Sequence, residues 1–128
     1  ALSDITQHLP GAFLIYKADP ENDQILFANQ ELVTYAGCKN LDEFMQYSKH
    51  SFRNLIRSDE QEAVEKSIWQ QIQSQAAGTN DFVQFHFVKK DGSTHPVLDH
   101  GRIVESNYYG NVFYVLIMDC QLLDEHYN

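Results

Sequence analysis

QILFANQELVTYAGC (residues 24–38) begins like a buried strand and continues like a helix. The start of this stretch is rich in strand formers, whereas Leu32 and Tyr35 recur at helical spacing. Asn29 stands at the change of period, where its side chain can accept from the backbone N–H groups that open a helix. Gly37 can adopt a positive φ and is a typical residue at a helix end. The stretch therefore predicts a strand that turns directly into a short helix.

The neighbouring segments extend this pattern on both sides. An apolar run at residues 11–18 precedes the stretch, and the turn-rich DPEND at 19–23 joins the two strands as a hairpin. A second short helix is predicted behind Asn40, which repeats the capping logic of the first. Ser58 with Gln61 predicts a capping box at the start of a longer helix. The buried stripe of that longer helix is predicted to be Val64, Ile68 and Ile72.

The last part of the chain predicts three strands. Residues 81–90 alternate apolar and polar side chains, as in a half-buried strand. KKDG at 89–92 supplies a tight turn, and further strands are predicted at 94–104 and 112–119. The order of strand, strand, helices and a final meander predicts an α+β domain. In such a domain the helices cover one face of an antiparallel sheet.

The first and last strands are apolar on both faces, whereas an antiparallel strand usually keeps one face in water. We therefore expect both strands to lie in the middle of the sheet. The face away from the helices then needs a cover, which is residues 1–9, a second subunit or both, and we predict a homodimer. The side chains to be covered are Phe13, Ile15, Tyr114 and Leu116.

The composition limits location and partners. The chain has 128 residues, enough for one domain, and its formal net charge is −9. This charge argues against nucleic acid and membrane surfaces as partners because phosphates would be repelled. Cys38 and Cys120 lie far apart without a CxxC pair, which predicts free thiols and a cytoplasmic location. The chain begins without Met, and we expect it to be a piece of a longer protein.

The order of these elements, the ilfANqel…yaGc junction and the KKDGS hairpin resemble the PAS domain from about His8 to Asp119. Similar SFR…I…DE and SIW segments recur in PAS modules ahead of diguanylate cyclase (GGDEF) and phosphodiesterase domains of bacterial sensors. The resemblance implies strand order 2-1-5-4-3, a cavity between helices and sheet, dimerisation and a C-terminal connector. It divides the chain into a flanking segment or cap helix (1–9), the PAS domain (10–120) and the start of the connector (121–128).

Departures from the PAS pattern bear on cofactors. Haem-binding relatives place a ligating His on the long helix, but residues 58–77 contain none, which argues against haem. Phe52 occupies the place of the reactive Cys of light-sensing relatives, which argues against a covalent flavin adduct. Trp69 could stack on a non-covalent flavin, although packing in the core is its plainer interpretation. His95 and His100 point to opposite faces of one strand, so no metal site is predicted.

Asp99 and Arg53 are the predicted polar anchors of the cavity. If Val97 faces the helices then Asp99 does too, and a buried carboxylate costs several kcal/mol unless it is partnered. Arg53, from the segment before the long helix, is the candidate partner. The pair either braces the helices against the sheet or contacts a polar ligand. Tyr16 also faces inward, where its hydroxyl serves the same ligand or is simply satisfied in the core.

These arguments predict a cavity with few polar anchors, suited to a small aromatic molecule that carries an acid or amide. Its predicted lining is Tyr16, Leu32, Phe44, Phe52, Arg53, Phe85, Phe87, Val97, Asp99, Val115 and Ile117. The predicted function is a non-catalytic sensory domain that controls an output domain in the same polypeptide. Two alternatives are a ligand-free dimerisation module and a ketosteroid-isomerase-like cavity enzyme with Asp99 as general base. The latter fold opens with helices, whereas this chain opens with a hairpin.

Overall fold

The computed structural model describes residues 9–127 and has the predicted α+β architecture. The strands are β1 (Ala12–Lys17), β2 (Ile25–Ala28), β3 (Asn80–Val88), β4 (Thr94–Ser106) and β5 (Gly110–Asp119). The helices are α1 (Gln30–Tyr35), α2 (Leu41–Ser48), α3 (Gln61–Ser74) and α4 (Cys120–Tyr127), and 3₁₀ turns occupy Phe52–Leu55 and Ser58–Glu60. No helix in this described part is long and apolar enough to cross a membrane.

The strands form one antiparallel sheet in the order β2-β1-β5-β4-β3, as the resemblance implied. The two strands that are apolar on both faces, β1 and β5, lie side by side inside the sheet, with Ala12 opposite Ile117 and Lys17 opposite Val112. One face of the sheet packs against α1, α2 and α3 to form the main core. The prediction that β1 and β5 are interior strands is therefore confirmed.

Asn29 forms the predicted junction between β2 and α1. Its side-chain Oδ1 accepts from the backbone N–H of Leu32 at 3.1 Å, which caps α1. The same oxygen accepts from the N–H of Phe13 at 3.0 Å, and Nδ2 donates to the carbonyl of Gly11 at 2.9 Å. The side chain is fully buried. One asparagine therefore caps a helix and also holds that helix to the chain around the start of β1.

The predicted capping box at Ser58 was wrong. A 3₁₀ turn begins at Ser58, and α3 itself begins at Gln61. The side-chain amide of Gln61 donates to the carbonyls of Arg53 and Ile56 instead of reaching back to Ser58. The sequence pattern could not anticipate the intervening turn, which displaces the helix start. The buried stripe is confirmed: Val64 and Ile68 are buried, and Ile72 packs at the edge of the core.

A second apolar cluster lies on the opposite face of the sheet. Phe13, Ile15 and Val112 are buried there, whereas Leu116 is 37% exposed. Partly buried neighbours complete the cluster, namely Leu9, Leu26, Phe27, Val104 and Tyr114. Residues 1–8 of the predicted cover lie outside the described residues. The covering segment and the homodimer stay predictions.

Candidate functional site

The interior between helices and sheet is the site that the sequence pointed to. The apolar and aromatic residues predicted to line it are all buried in the main core, namely Tyr16, Leu32, Phe44, Phe52, Phe85, Phe87, Val97, Val115 and Ile117. Tyr16 stacks on Phe52 with ring centroids 4.2 Å apart, and Phe85 meets Phe52 edge-on at 6.1 Å. Strand alternation and helical spacing grouped most of these residues, and the family resemblance indicated which face of each strand looks inward and added Phe52.

Arg53 does not line this interior, so its predicted bridge to Asp99 was wrong. Its guanidinium lies 3.4 Å from the Glu65 carboxylate, and its side chain is 44% exposed. The cause is the period of the 3₁₀ turn. With three residues per turn, Phe52 and Leu55 point inward, and the two residues between them, Arg53 and Asn54, are exposed. Arg53 is therefore not placed to bind an acidic ligand in the interior, as the sequence analysis expected.

Asp99 is buried on the core-facing side of β4, as the sequence predicted, but its carboxyl has no hydrogen-bond partner among the described residues. Its side chain faces the core from β4 and is 1% exposed. No group in the described residues hydrogen-bonds to either carboxylate oxygen. Burial, and then the neighbouring Asp81, raise the pKa of Asp99 well above its ordinary value. Orphaned buried carboxyls are rare in folded proteins, and each one calls for an explanation.

Asp81 is a second buried carboxyl, which the sequence interpretation did not single out. It is 1% exposed, its Oδ2 has no partner among the described residues, and burial raises its pKa to about 6. Gly101 lies opposite it on β4, and a Cβ there would stand 2.5 Å from Asp81 Oδ2. The carboxyl thus fills the space that the glycine leaves. Extending the alternation of Val83 and Phe85 back by two residues would have found it.

A small cavity, which we call the acidic mouth, lies between the β1–β2 turn and α3. Its volume is about 20 Å³. Its lining is Tyr16, Asp19, Pro20, Asp23, Phe52, Glu65, Ile68 and Trp69. Trp69 also packs edge-on against Phe113, with ring centroids 5.5 Å apart, which supports its interpretation as a core residue at the rim. Three of the lining residues are acidic.

Tyr16 connects the mouth with the two interior carboxyls. It lines the mouth and is itself 5% exposed. Burial raises the pKa of its hydroxyl well above the ordinary value, and Asp99, Asp81, Asp23 and Glu65 each raise it further. Four carboxyls therefore raise the pKa of one hydroxyl, that of Tyr16.

Asp119 links the sheet to α4. Its Oδ1 accepts from the backbone N–H of Gln121 at 2.8 Å and of Leu122 at 3.3 Å, at the start of the helix. Its Oδ2 accepts from the Tyr35 hydroxyl of α1 at 2.7 Å. Burial opposes ionisation, but these bonds hold the pKa of Asp119 below its usual range. One carboxylate thus joins α1, β5 and α4.

The described residues contain no group of three or more His, Cys, Asp and Glu that could hold a metal ion. Asp81 and Asp99 are two hard oxygen donors without a third close ligand. The unpartnered oxygens of these two carboxyls are available for hydrogen bonding.

Comparisons with known proteins bear on this fold. The family described as the PAS fold matches residues 25–117. The PAS domain of an HTR-like protein from Haloarcula marismortui superposes with a TM-score of 0.66 at 17% identity, covering 92% of this chain and 88% of that one. The LOV protein of Rhodobacter sphaeroides superposes with a TM-score of 0.69 at 14% identity, and the match covers 92% of this chain and 64% of that one. A PAS domain from Desulfitobacterium hafniense superposes with a TM-score of 0.66 at 13% identity, and the match covers 91% of this chain and 98% of that one.

The antiparallel sheet with a helix layer on one face thus has the architecture of the PAS fold. The chain belongs to the PAS family, since the family match covers well over half of it. The structural neighbours share the fold at low sequence identity. Comparison with curated proteins gives no match.

Proposed function

We propose that this PAS domain is the sensory part of a multidomain signalling protein and binds a small molecule between its helices and its sheet. The observation that carries the proposal is the unpartnered pair Asp99 and Asp81. Buried carboxyls cost several kcal/mol when they lack partners. A ligand with donor groups would supply those partners, which supports binding in the interior.

The proposal includes the domain's surroundings. Residues 10–120 form the PAS domain, 1–9 flank it, and 121–128 begin a connector to an output domain such as a diguanylate cyclase. The protein acts in the cytoplasm as a homodimer. The apolar cluster around Phe13 and Ile15, on the face away from the helices, supports an interface there. A cavity enzyme of the ketosteroid-isomerase type is not favoured, because the sheet has the PAS order.

Ligand binding is tested by native mass spectrometry of the purified chain, followed by a thermal-shift screen of small metabolites at pH 7.5. We expect a bound mass or a stabilising compound for the wild-type protein and its loss in Asp99→Asn. Asp91→Asn makes the same change in the exposed Lys89–Ser93 turn and should bind like the wild type. No bound mass and no stabilising compound would identify a ligand-free dimerisation module instead.

Signal transfer is tested through the hydroxyl that holds the start of α4. Tyr35→Phe removes the hydrogen bond to Asp119, a bond to a charged group worth about 1.5–3 kcal/mol. We expect amide hydrogen exchange in residues 121–125 to accelerate roughly tenfold or more, because α4 loses part of its anchor.

Tyr47→Phe is the matched control for this experiment. Its hydroxyl donates to the carbonyl of Val88, so the substitution also removes one tyrosine bond but does not touch Asp119. Exchange in residues 121–125 should stay at the wild-type rate. Equal acceleration by both variants would show that α4 responds to global stability and not to this link.

A further inference from the structure

The carboxyl of Asp81 lies over Gly101 at the edge of the sheet. Asp81 faces the core from β3, the outermost strand, and is paired with Gly101 of β4. Asp99 lies two residues before Gly101 on the same face of β4, so the two carboxyls are diagonal neighbours across the ladder. Both side chains are 1% exposed, and three of their four oxygens lack a partner within the described residues. Two unsatisfied acids therefore share one small region of the interior.

Basic side chains of the neighbouring elements point away from this carboxyl pair. Arg102 and His100 of β4 lie on the opposite face of the sheet, where both contact the side-chain oxygen of Asn80. Arg53 pairs with Glu65 at 3.4 Å on the solvent side. None of these cations therefore supplies a counter-charge to the pair, and a charge on either carboxyl is costly to bury.

The groups that face the carboxyl pair are apolar or acidic. The apolar ones are on β3, β5 and α3, namely Val83, Val115, Ile117, Ile68 and Ile72. Tyr16 of β1 is a titratable neighbour, and Asp23 of the β1–β2 turn and Glu65 of α3 act on its hydroxyl together with the pair. Negative charge on any of these groups opposes ionisation of the two carboxyls.

The two carboxyls differ in how they can reach water. Asp99 lies inside the sheet, with Val83 of β3 on one side and Ile117 of β5 on the other. Asp81 belongs to residues 79–83, which we call the β3 start and which lie at the sheet edge. Movement of the β3 start away from β4 would expose Asp81, whereas exposing Asp99 requires a larger opening of the sheet.

Hydrogen bonds tie the β3 start to α3 as well as to β4. The N–H of Phe82 donates to Oε1 of Gln71 at 2.9 Å, and Nε2 of Gln71 donates to the carbonyl of Phe82 at 3.0 Å. The N–H of Ile103 on β4 donates to the carbonyl of Thr79 at 2.9 Å. A displacement of the β3 start would therefore be felt by the long helix.

We propose that the β3 start is a proton-controlled element, which stays paired with β4 while the Asp81 carboxyl is protonated and opens locally when that carboxyl is ionised. This inference goes beyond the proposed function, because it depends on the fold alone and on no small molecule. Burial raises the pKa of Asp81 to about 6. Burial, and then the charge of Asp81, raise the pKa of Asp99. The carboxyl that can move is therefore the first of the two to ionise, close to neutral pH.

Amide hydrogen exchange in residues 79–83 of the whole chain tests this inference. The readout is the protection factor, from which the intrinsic pH dependence of exchange has been removed. Opening returns Asp81 to its ordinary pKa of about 4, whereas the closed state holds it at about 6. Linkage then predicts a protection factor about tenfold lower at pH 8 than at pH 5. Low urea should change it little, because local opening exposes little surface, while protection in β5 should fall with urea.

Variants assign the effect to Asp81. Asp81→Asn should remove the pH dependence of protection in the β3 start, whereas Asp91→Asn, in the exposed Lys89–Ser93 turn, should leave it as in the wild type. Gly101→Ala places a Cβ 2.5 Å from Asp81 Oδ2 and displaces the carboxyl. It should lower the protection of the β3 start at pH 5 as well, and adding Asp81→Ala should restore it.

Three results would overturn the inference. One is a wild-type protection factor in the β3 start that does not change between pH 5 and pH 8. Another is a pH dependence that persists in Asp81→Asn. The third is equal protection and equal urea dependence in the β3 start and β5, which would show that the region opens only when the whole domain unfolds. If Gly101→Ala does not fold, the comparison of Asp81→Asn with Asp91→Asn still decides.

Discussion

Asn29→Ala is expected to lower the free energy of unfolding by about 3–7 kcal/mol, which is a large share of the stability of a domain this size. The loss has two parts. Removing an N-cap costs about 1 kcal/mol. The N–H of Phe13 and the carbonyl of Gly11 also lose a buried partner, and each such group costs about 1–3 kcal/mol when it is left unsatisfied.

Asn40→Ala is the matched control. Asn40 caps α2 by accepting from the N–H of Glu43 at 2.9 Å, but it is exposed and holds no other segment. Its loss should cost only about 1 kcal/mol. Urea unfolding of both variants measures the difference. Similar losses would show that Asn29 is a helix cap and nothing more.

Asp81 is expected to make the ligand-free domain less stable as the pH rises. Burial raises its folded pKa to about 6, so the folded state binds this proton more tightly than the unfolded chain does. The contribution is fully present below about pH 4, the unfolded pKa, and is lost as the pH rises through the folded value. The predicted loss is about 3 kcal/mol for Asp81 alone. Asp99 acts in the same direction, since its pKa is raised as well.

Comparison with Asp81→Asn isolates this effect from the other titrating groups. We expect the variant to gain about 3 kcal/mol over the wild type between pH 4 and pH 8, measured by urea unfolding across that range. Asp91→Asn is the control of opposite sign, because hydrogen bonds from Ser93 lower the pKa of Asp91. Its wild-type carboxylate stabilises the folded state above pH 4 and loses that effect in acid. A flat difference for Asp81→Asn would contradict the buried charge.

The features that the sequence predicted correctly are those that depend on a periodic pattern within one segment. The change of period at Asn29 gave the β2–α1 junction, and the alternation around Phe85 and Phe87 placed both side chains on the same face of β3. The apolar character of both faces gave the interior position of β1 and β5. Each of these signals lies within one segment, and burial on one face leaves a regular trace in the sequence. The strand order came from the family resemblance.

The direction of Arg53 and the burial of Asp81 were not predicted, because they depend on packing between segments. Arg53 points outward because a 3₁₀ turn, and not a helix, carries it. Asp81 lies near the start of β3, where an acidic residue is normally solvated, and it is buried because Gly101 of β4 leaves room for it. Neither neighbour is visible in the local pattern. Of the polar groups of the candidate site, Asp99 followed from strand alternation, whereas the outward direction of Arg53 and the burial of Asp81 required the structure.

The pairing of β1 with β5 affects how the chain folds during synthesis. Ala12 lies opposite Ile117, so the first strand must wait for about a hundred residues before its neighbour leaves the ribosome. Until then Phe13 and Leu14 are exposed in an incomplete sheet, and closing so long a loop slows the final step. We expect the nascent chain to stay protease-sensitive until β5 has emerged from the ribosome.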